Sequence, residues 1–329
     1  MVACAPSPAL ESGEDAEANL TNHDLNPVPR GARPRSSRDA ARTCALVVAL
    51  AFLGAGAARA QHSVNDPGAP FLYSTVEMPR SAAMAGAQAA VATSNDAIFV
   101  NPAGLAQGRR YQVEVDGVLD PQFPATGVVA TVVDSTSAAV ASGLAFARFG
   151  AGHLGGRGSG FLLGAAYAYN LGGLYFGGVT KYLHFDGPAG QSHTVAEDFG
   201  VLMNSGGFSY AATAQNVSLG GVIPLFPPTA TAAIAFGNDA DYHLALDYKV
   251  DLTDTSHLKH KLSAGYELLL QQFIAPRIGF ARDFTQRISY VAAGIGFLTE
   301  KGSFQFAYHR RISGGFEHYY EVGITLFLE

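Results

Sequence analysis

Beyond residue 110 the chain breaks into segments of roughly 8 to 12 residues in which apolar and polar side chains alternate, separated by clusters of Gly, Asp, Asn and Pro. Period-two alternation between turn residues is the signature of strands. In Tyr242 to Asp251, Tyr242, Leu244, Leu246, Tyr248 and Val250 fall on one face, and His243, Asp247, Lys249 and Asp251 on the other. The last segment sets Tyr320, Val322, Ile324, Leu326 and Leu328 against Glu321, Gly323 and Thr325. Fourteen such segments are predicted, centred near residues 115, 130, 144, 165, 179, 202, 212, 233, 246, 263, 278, 292, 307 and 323. Odd-to-even joins are long, among them DPQFP, GAGHLGGRGS and DGPAGQSHTVAED. Even-to-odd joins are tight, as at Leu171-Gly172-Gly173, Ser205-Gly206-Gly207 and Asn238 to Asp241.

An even number of antiparallel strands, with short turns at one end and long loops at the other, predicts an all-β fold: a transmembrane up-and-down β-barrel of about 14 strands. Closure is required because an open sheet edge in hydrocarbon leaves backbone N–H and C=O groups unpaired. A soluble sandwich would also alternate, but it would carry more charge on its outer face. Arg148, Asp251, Arg282, Asp283, Arg287 and Arg310 sit at segment ends, where lipid-facing charge costs least. Lys181 is the exception, sharing a face with Tyr175, Val179 and Leu183. Tyr242, Tyr248, Tyr266, Tyr290, Tyr319 and Tyr320 are assigned to interfacial girdles.

Upstream, the uncharged run Cys44 to Ala58 follows Arg30, Arg33, Arg35, Arg38 and Arg42 and ends in Ala58-Arg59-Ala60. A charged region, an apolar core and a small-x-small site describe a secretory signal peptide, with cleavage expected before Gln61. At fifteen residues the run is too short for a spanning helix. Residues 1–29, with Glu11, Glu14, Asp15 and Glu17, are unlike a leader, and a translation start assigned too far upstream would account for them. The expected organisation is thus 1–60 removed, 61–110 an N-terminal plug or hatch, and 111–329 the barrel. Ser81 to Ala92 has helical character and predicts a short helical plug, closed by Ser94-Asn95-Asp96 and the turn Asn101-Pro102-Ala103-Gly104.

Composition sharpens this. The 329 residues are 48% hydrophobic and only 15% charged, with 38 Gly, 21 Phe, 14 Tyr and no Trp. That is too apolar for disorder and too poor in charge for an ordinary soluble domain. A net charge of −6 argues against nucleic acid as a partner. Both Cys, at 4 and 44, fall in the expected leader, so the mature chain would have neither disulfides nor thiolate metal sites.

The stretch Phe71-Leu72 through Pro79-Arg80-Ser81-Ala82-Ala83-Met84-Ala85-Gly86-Ala87, then Ser94-Asn95-Asp96-Ala97 and Asn101-Pro102-Ala103-Gly104-Leu105-Ala106, resembles the N-terminal signature of the PorV/PorQ family. That family is in turn similar to the FadL/TodX group of hydrophobic-compound transporters, which have fourteen strands and an N-terminal hatch. Gln215-Asn216-Val217 is similar to a second family segment. Two departures stand out: Met84 is followed by Ala85, with Gly86 one place later, and the chain ends Phe327-Leu328-Glu329 rather than on an aromatic residue. The resemblance implies an outer-membrane barrel of a Gram-negative cell that passes fatty-acid-like solutes by hatch gating. Its alternative implication is a secretion-associated barrel binding exported proteins, or a structural role; external loops of about thirteen residues at most favour the solute.

Candidate ligand and plug residues are Met84, Gly86, Asn101, Pro102, Ala103 and Gly104. Asp247, Lys249, Lys261 and Glu267, with Lys259, are the candidate polar groups of the lumen. Expected partners are outer-membrane lipid, the barrel-assembly machinery and hydrophobic small molecules or secreted proteins. No cofactor, metal or enzymatic activity is expected. Gly150-x-Gly152-x-x-Gly155 has dinucleotide-loop spacing but precedes a strand, leaving no helix N-terminus for a phosphate. A hydrolase would need Ser263, His243 and Asp247 together.

Overall fold

The computed structural model describes residues 76–119, 126–150, 159–187, 190–218, 226–253, 256, 258–313 and 318–328. The expected leader, residues 61–75, and Gly152 and Gly155 lie outside them. Fourteen strands form one closed antiparallel barrel, each paired with its chain neighbours. They are β1 Tyr111–Leu119, β2 Thr126–Asp134, β3 Val140–Gly150, β4 Ser159–Leu171, β5 Leu174–Gly187, β6 Gly190–Ser205 and β7 Phe208–Ser218. The second half comprises β8 Thr229–Asn238, β9 Tyr242–Asp251, β10 Lys259–Leu268, β11 Ile274–Asp283, β12 Ile288–Thr299, β13 Gly302–Arg311 and β14 His318–Leu328. β1 and β14 close the wall over nine register pairs, from Tyr111↔Leu328 to Leu119↔Tyr320. Both ends of the strand sequence therefore lie at the tight-turn end. Gly172-Gly173 and Gly206-Gly207 make two-residue turns there, with φ of 61°, 95°, 59° and 82°, the left-handed values that a primed hairpin turn needs.

Alternation sorts the faces. Leu244, Leu246 and Tyr248 are exposed on the outside of β9, whereas His243, Ala245 and Asp247 are buried inside. Leu144 is 64% exposed between buried Ala141, Ala145 and Ala147. A row of Phe208, Phe236, Tyr242 and Tyr266 rings, with centroids 4.9 to 6.2 Å apart, runs around the tight-turn end.

Four sequence expectations change. The described residues of DGPAGQSHTVAED are strand, not loop: β5 and β6 continue to the pair Gly187↔Gly190, and Thr194, Ala196 and Asp198 point inward in strict alternation. Its polar composition suggested a loop, but its period of two was already that of a strand. Lys181 faces the lumen, since Val179, Lys181 and Leu183 are the buried row and the exposed face is Phe176, Thr180 and Tyr182. Tyr290 and Tyr319 belong to no girdle; they are buried inward and sandwich His309, with ring centroids 5.0 and 4.7 Å from it. Finally, no helix spans Ser81 to Ala92. α1 covers only Pro79–Ala83, and the chain turns at Ala85 and Gly86, where φ is 53° and 81°.

The rest of the N-terminal segment is a 3-10 turn at Ser94–Asp96, a single helical turn α2 at Ala97–Val100 and a 3-10 turn at Pro102–Ala106. It packs on inward-facing positions. One side of it is apolar: Ile98, Phe99, Val100 and Leu105 cluster with Val129, Val133, Ala145, Ala166, Val179 and Leu183 of β2 to β5. Its other side is polar and meets β9 to β14 and β1.

Candidate functional site

Three seats hold the N-terminal segment to the wall. The first is ionic. Arg80 spans Glu267 of β10 with both ends of its guanidinium, Nε donating to Oε2 at 3.0 Å and Nη2 to Oε1 at 2.8 Å. Arg277 of β11 donates to the same Oε2 at 2.5 Å and to Gln305 at 2.8 Å, and His243 lies 3.3 Å from Oε1. Glu267 is 2% exposed, so two arginines and a histidine share one dry carboxylate. On its far side His243 reaches Asp239 in the β8–β9 turn at 3.3 Å. That hydrogen bond holds the Asp239 carboxyl below its ordinary range. Within the segment, Asp96 accepts from Gln88 Nε2 at 2.8 Å with Arg80 at 4.0 Å, yet burial outweighs both and raises its pKa.

The second seat is steric. Met84 is fully buried over two glycines: a Cβ on Gly279 would fall 2.3 Å from the Met84 carbonyl carbon, and one on Gly265 would fall 2.8 Å from Met84 Cβ. Gly294 similarly admits Ala83 at 2.5 Å. Here Asp247 Oδ2 accepts from the backbone N–H groups of Gln88 and Ala89 at 3.1 and 2.8 Å, pinning the chain as it leaves the turn.

The third seat holds Asn101 and Pro102. Asn101 Nδ2 donates to Ala89 O at 2.8 Å, and its Oδ1 accepts from Ala103 N at 3.2 Å, capping the following turn. A Cβ on Gly200 would land 2.0 Å from Asn101 Oδ1, and one on Gly177 would land 2.4 Å from Pro102 C. Gln215 of β7 donates to Phe99 O at 2.6 Å. Ala103 is buried, and Gly104 is packed so tightly on Ala92 O that a Cβ would reach 2.0 Å.

The candidate plug residues and the candidate lumen residues are thus brought together, although by different partners than their spacing suggested. Asp247 and Glu267 hold the segment directly. Lys249 and Lys261 are register partners, and Lys249 donates to Gln215 at 3.1 Å. They line a cavity of about 20 Å³ with Glu77, Ser81 and Gly86, room for about one water. Lys259 sits half exposed near the rim, 3.3 Å from Asp251. A second cavity of about 260 Å³ opens toward the tight-turn end, between Arg80, Asp96, Arg110, His243 and Arg277. Ser263 lies beside Asp247 in register, but His243 is engaged with Glu267 and Asp239, so the three are not assembled as a triad. Arg80, Glu77, Arg277 and the seat glycines were absent from the candidate set. The signal for the glycines was present: Gly177, Gly265, Gly279 and Gly294 each occupy an inward position that alternation reserves for a side chain.

No protein-family model and no curated protein matches the chain. Solved structures do. The CymD monoaromatic hydrocarbon channel superposes with a TM-score of 0.60 at 13% identity, over 78% of this chain and 99% of its own. The Ralstonia pickettii toluene transporter TbuX gives 0.60 at 13%, over 79% and 100%. A Pseudomonas aeruginosa FadL homologue gives 0.58 at 10%, over 76% and 98%. This chain has the FadL/TodX-type fold. Within that fold, the inward face of β2 to β5 is apolar, and the segment that packs on it presents Ile98, Phe99 and Val100.

Proposed function

We propose that the protein is an outer-membrane barrel that passes hydrophobic solutes, with residues 76–110 serving as its plug. The observation that carries this reading is the apolar inner wall. A water-filled diffusion channel is polar inside and apolar only toward lipid, whereas β2 to β5 here carry apolar side chains on both faces. The names of the structural neighbours, channels and transporters of toluene and other monoaromatic hydrocarbons, support the same class of solute. The signature resembling PorV/PorQ has a physical reading on this account: Arg80, Met84, Asn101 and Pro102 are the residues seated in the wall, so the motif describes how the plug is held. Lipid outside, apolar solute within and the assembly machinery that inserts the barrel are the partners this function requires, and the solute crosses unmodified.

With the plug seated, Met84, Asn101 and Pro102 fill the space above Gly265, Gly279, Gly177 and Gly200, and the cavity beside Glu77 and Lys261 has room for about one water; on this reading the segment shifts to let solute pass. The seat at Gly177 and Gly200 is too close-fitted for Asn101 and Pro102 to swing as a hinge; movement has to begin at the ionic seat around Glu267. The test is uptake of a fluorescent fatty acid and of toluene into proteoliposomes carrying the folded barrel. Saturable uptake, raised by Arg80→Met and unchanged in barrel content, is expected. Absence of uptake from a folded barrel in both wild type and variant would remove the transport reading.

A further inference from the structure

A second polar cluster lies apart from the plug seats, within the apolar side of the lumen. Lys181 on β5, Asp198 on β6 and Asn216 on β7 are 3%, 0% and 1% exposed. Val179 and Leu183 of the large apolar cluster flank Lys181 along β5, and Ala196 of the same cluster is its register partner. Lys181 Nζ lies 2.7 Å from Asp198 Oδ1 and donates to Asn216 Oδ1. Asn216 N donates to Asp198 Oδ1 at 2.7 Å, and Asn216 Nδ2 donates to Pro227 O at 3.2 Å. The register slips between Glu197 and Phe199, and Asn216 has φ of 54°, so a bulge turns the amide onto the lysine.

We propose that Lys181 and Asn216 form an intramolecular isopeptide bond, with Asp198 carrying the protons. A charged pair this deep is costly, because desolvation competes with the mutual attraction. Transfer of a proton from Nζ to Asp198 removes both charges and creates the neutral amine that attack requires. Nζ already donates to Asn216 Oδ1, the oxygen bonded to the Cγ it would attack. The Nζ–Cγ bond forms and the Cγ–Nδ2 bond breaks. Asp198 moves an amine proton to Nδ2, which leaves as ammonia, and Asp198 returns to the carboxylate as ammonium departs. Lysine ammonium plus carboxamide become amide plus ammonium, with no oxidant or reductant. Asp198 Oδ2 has no other partner within the described residues and can serve the leaving nitrogen. The bond would join β5 to β7 across β6 and close a loop between positions 35 apart, fixing the bulge in the wall.

The experiment is peptide mapping by mass spectrometry of the folded, full-length barrel purified from membranes. The expected product is a branched peptide holding Lys181 and Asn216, lighter than the sum of its linear parts by about 17 Da, with trypsin no longer cutting after Lys181. Intact mass alone is insufficient, because cyclisation of an N-terminal Gln61 loses the same ammonia. Lys181→Arg and Asn216→Ala should abolish the branched peptide while the barrel still shifts on heating in gels. Asp198→Asn should lower its yield at least tenfold. Linear Lys181 and Asn216 peptides in full yield from folded wild-type protein would overturn the proposal, whatever the variants do. A branched peptide in undiminished yield from folded Asp198→Asn would overturn the role of Asp198.

Discussion

Among the described residues, Glu267 both fastens the N-terminal segment and ties β10 to β11. At 2% exposure it receives two hydrogen bonds from Arg80 and one from Arg277, with His243 alongside. Glu267→Gln keeps the volume but leaves two buried guanidinium groups facing a single carbonyl oxygen and an NH2 group that itself donates. Removing one partner of a buried ion pair costs about 3 to 5 kcal/mol. Arg80→Met is gentler, since Glu267 keeps Arg277 and His243; about 1 to 3 kcal/mol is expected, as for a buried hydrogen bond to charge. The double variant should cost less than the sum, because both substitutions remove the same pair. With no Trp in the chain, intrinsic fluorescence is a weak reporter, so unfolding in urea is followed by the loss of heat-modifiable migration after refolding into vesicles. Additive costs, or a Glu267→Gln penalty under about 1 kcal/mol, would refute the shared-carboxylate account.

Gly200→Ala and Gly279→Ala each drive a methyl into the backbone of the N-terminal segment or its Asn101, and should destabilise by about 1 to 3 kcal/mol each. Limited proteolysis of the N-terminal segment reads the same effect as faster cleavage. Asp96→Asn should raise stability at neutral pH. Burial lifts the folded pKa of Asp96 above its unfolded value, so the wild type binds more protons folded than unfolded, and its stability falls as pH rises between the two values. The advantage of the variant therefore grows across that window and vanishes below the ordinary carboxylate range, which denaturation midpoints measured from acid to neutral pH will show. Leu144→Arg, on the outer face of β3 that the proposed function sets in lipid, should cost about 2 to 4 kcal/mol. Leu183→Lys, beside Lys181 but facing inward, separates lipid exposure from lumen crowding in the same refolding assay. Tyr319→Phe removes the 2.9 Å hydrogen bond to Glu77 and should cost about 1 to 3 kcal/mol.

The wall was legible because its physics is local: side-chain alternation and Gly-rich turns located all fourteen strands. What alternation leaves open is which side is which when both faces are apolar. On β5 the inward row Val179, Lys181 and Leu183 reads as lipid-facing until Asp198, on the next strand, supplies the partner of the lysine. The conformation of the N-terminal segment was not legible. Ala-rich Ser81 to Ala92 has the propensity for a helix, and loses it because Met84 and Ala85 must thread over Gly279, nearly two hundred residues away. The ionic seat failed for the same reason: Arg80 and Glu267 are 187 positions apart, and no spacing rule connects them.

That separation constrains the order in which the molecule can be built. The N-terminal segment touches strands from β1 to β14, and the wall closes only when β14 pairs with β1. A segment already enclosed cannot be threaded in afterwards, so it has to be waiting inside an open, curling sheet when the final hairpin arrives. It then acts as a mandrel around which the staves are set, and the rate of closure would depend on residues that never join the sheet.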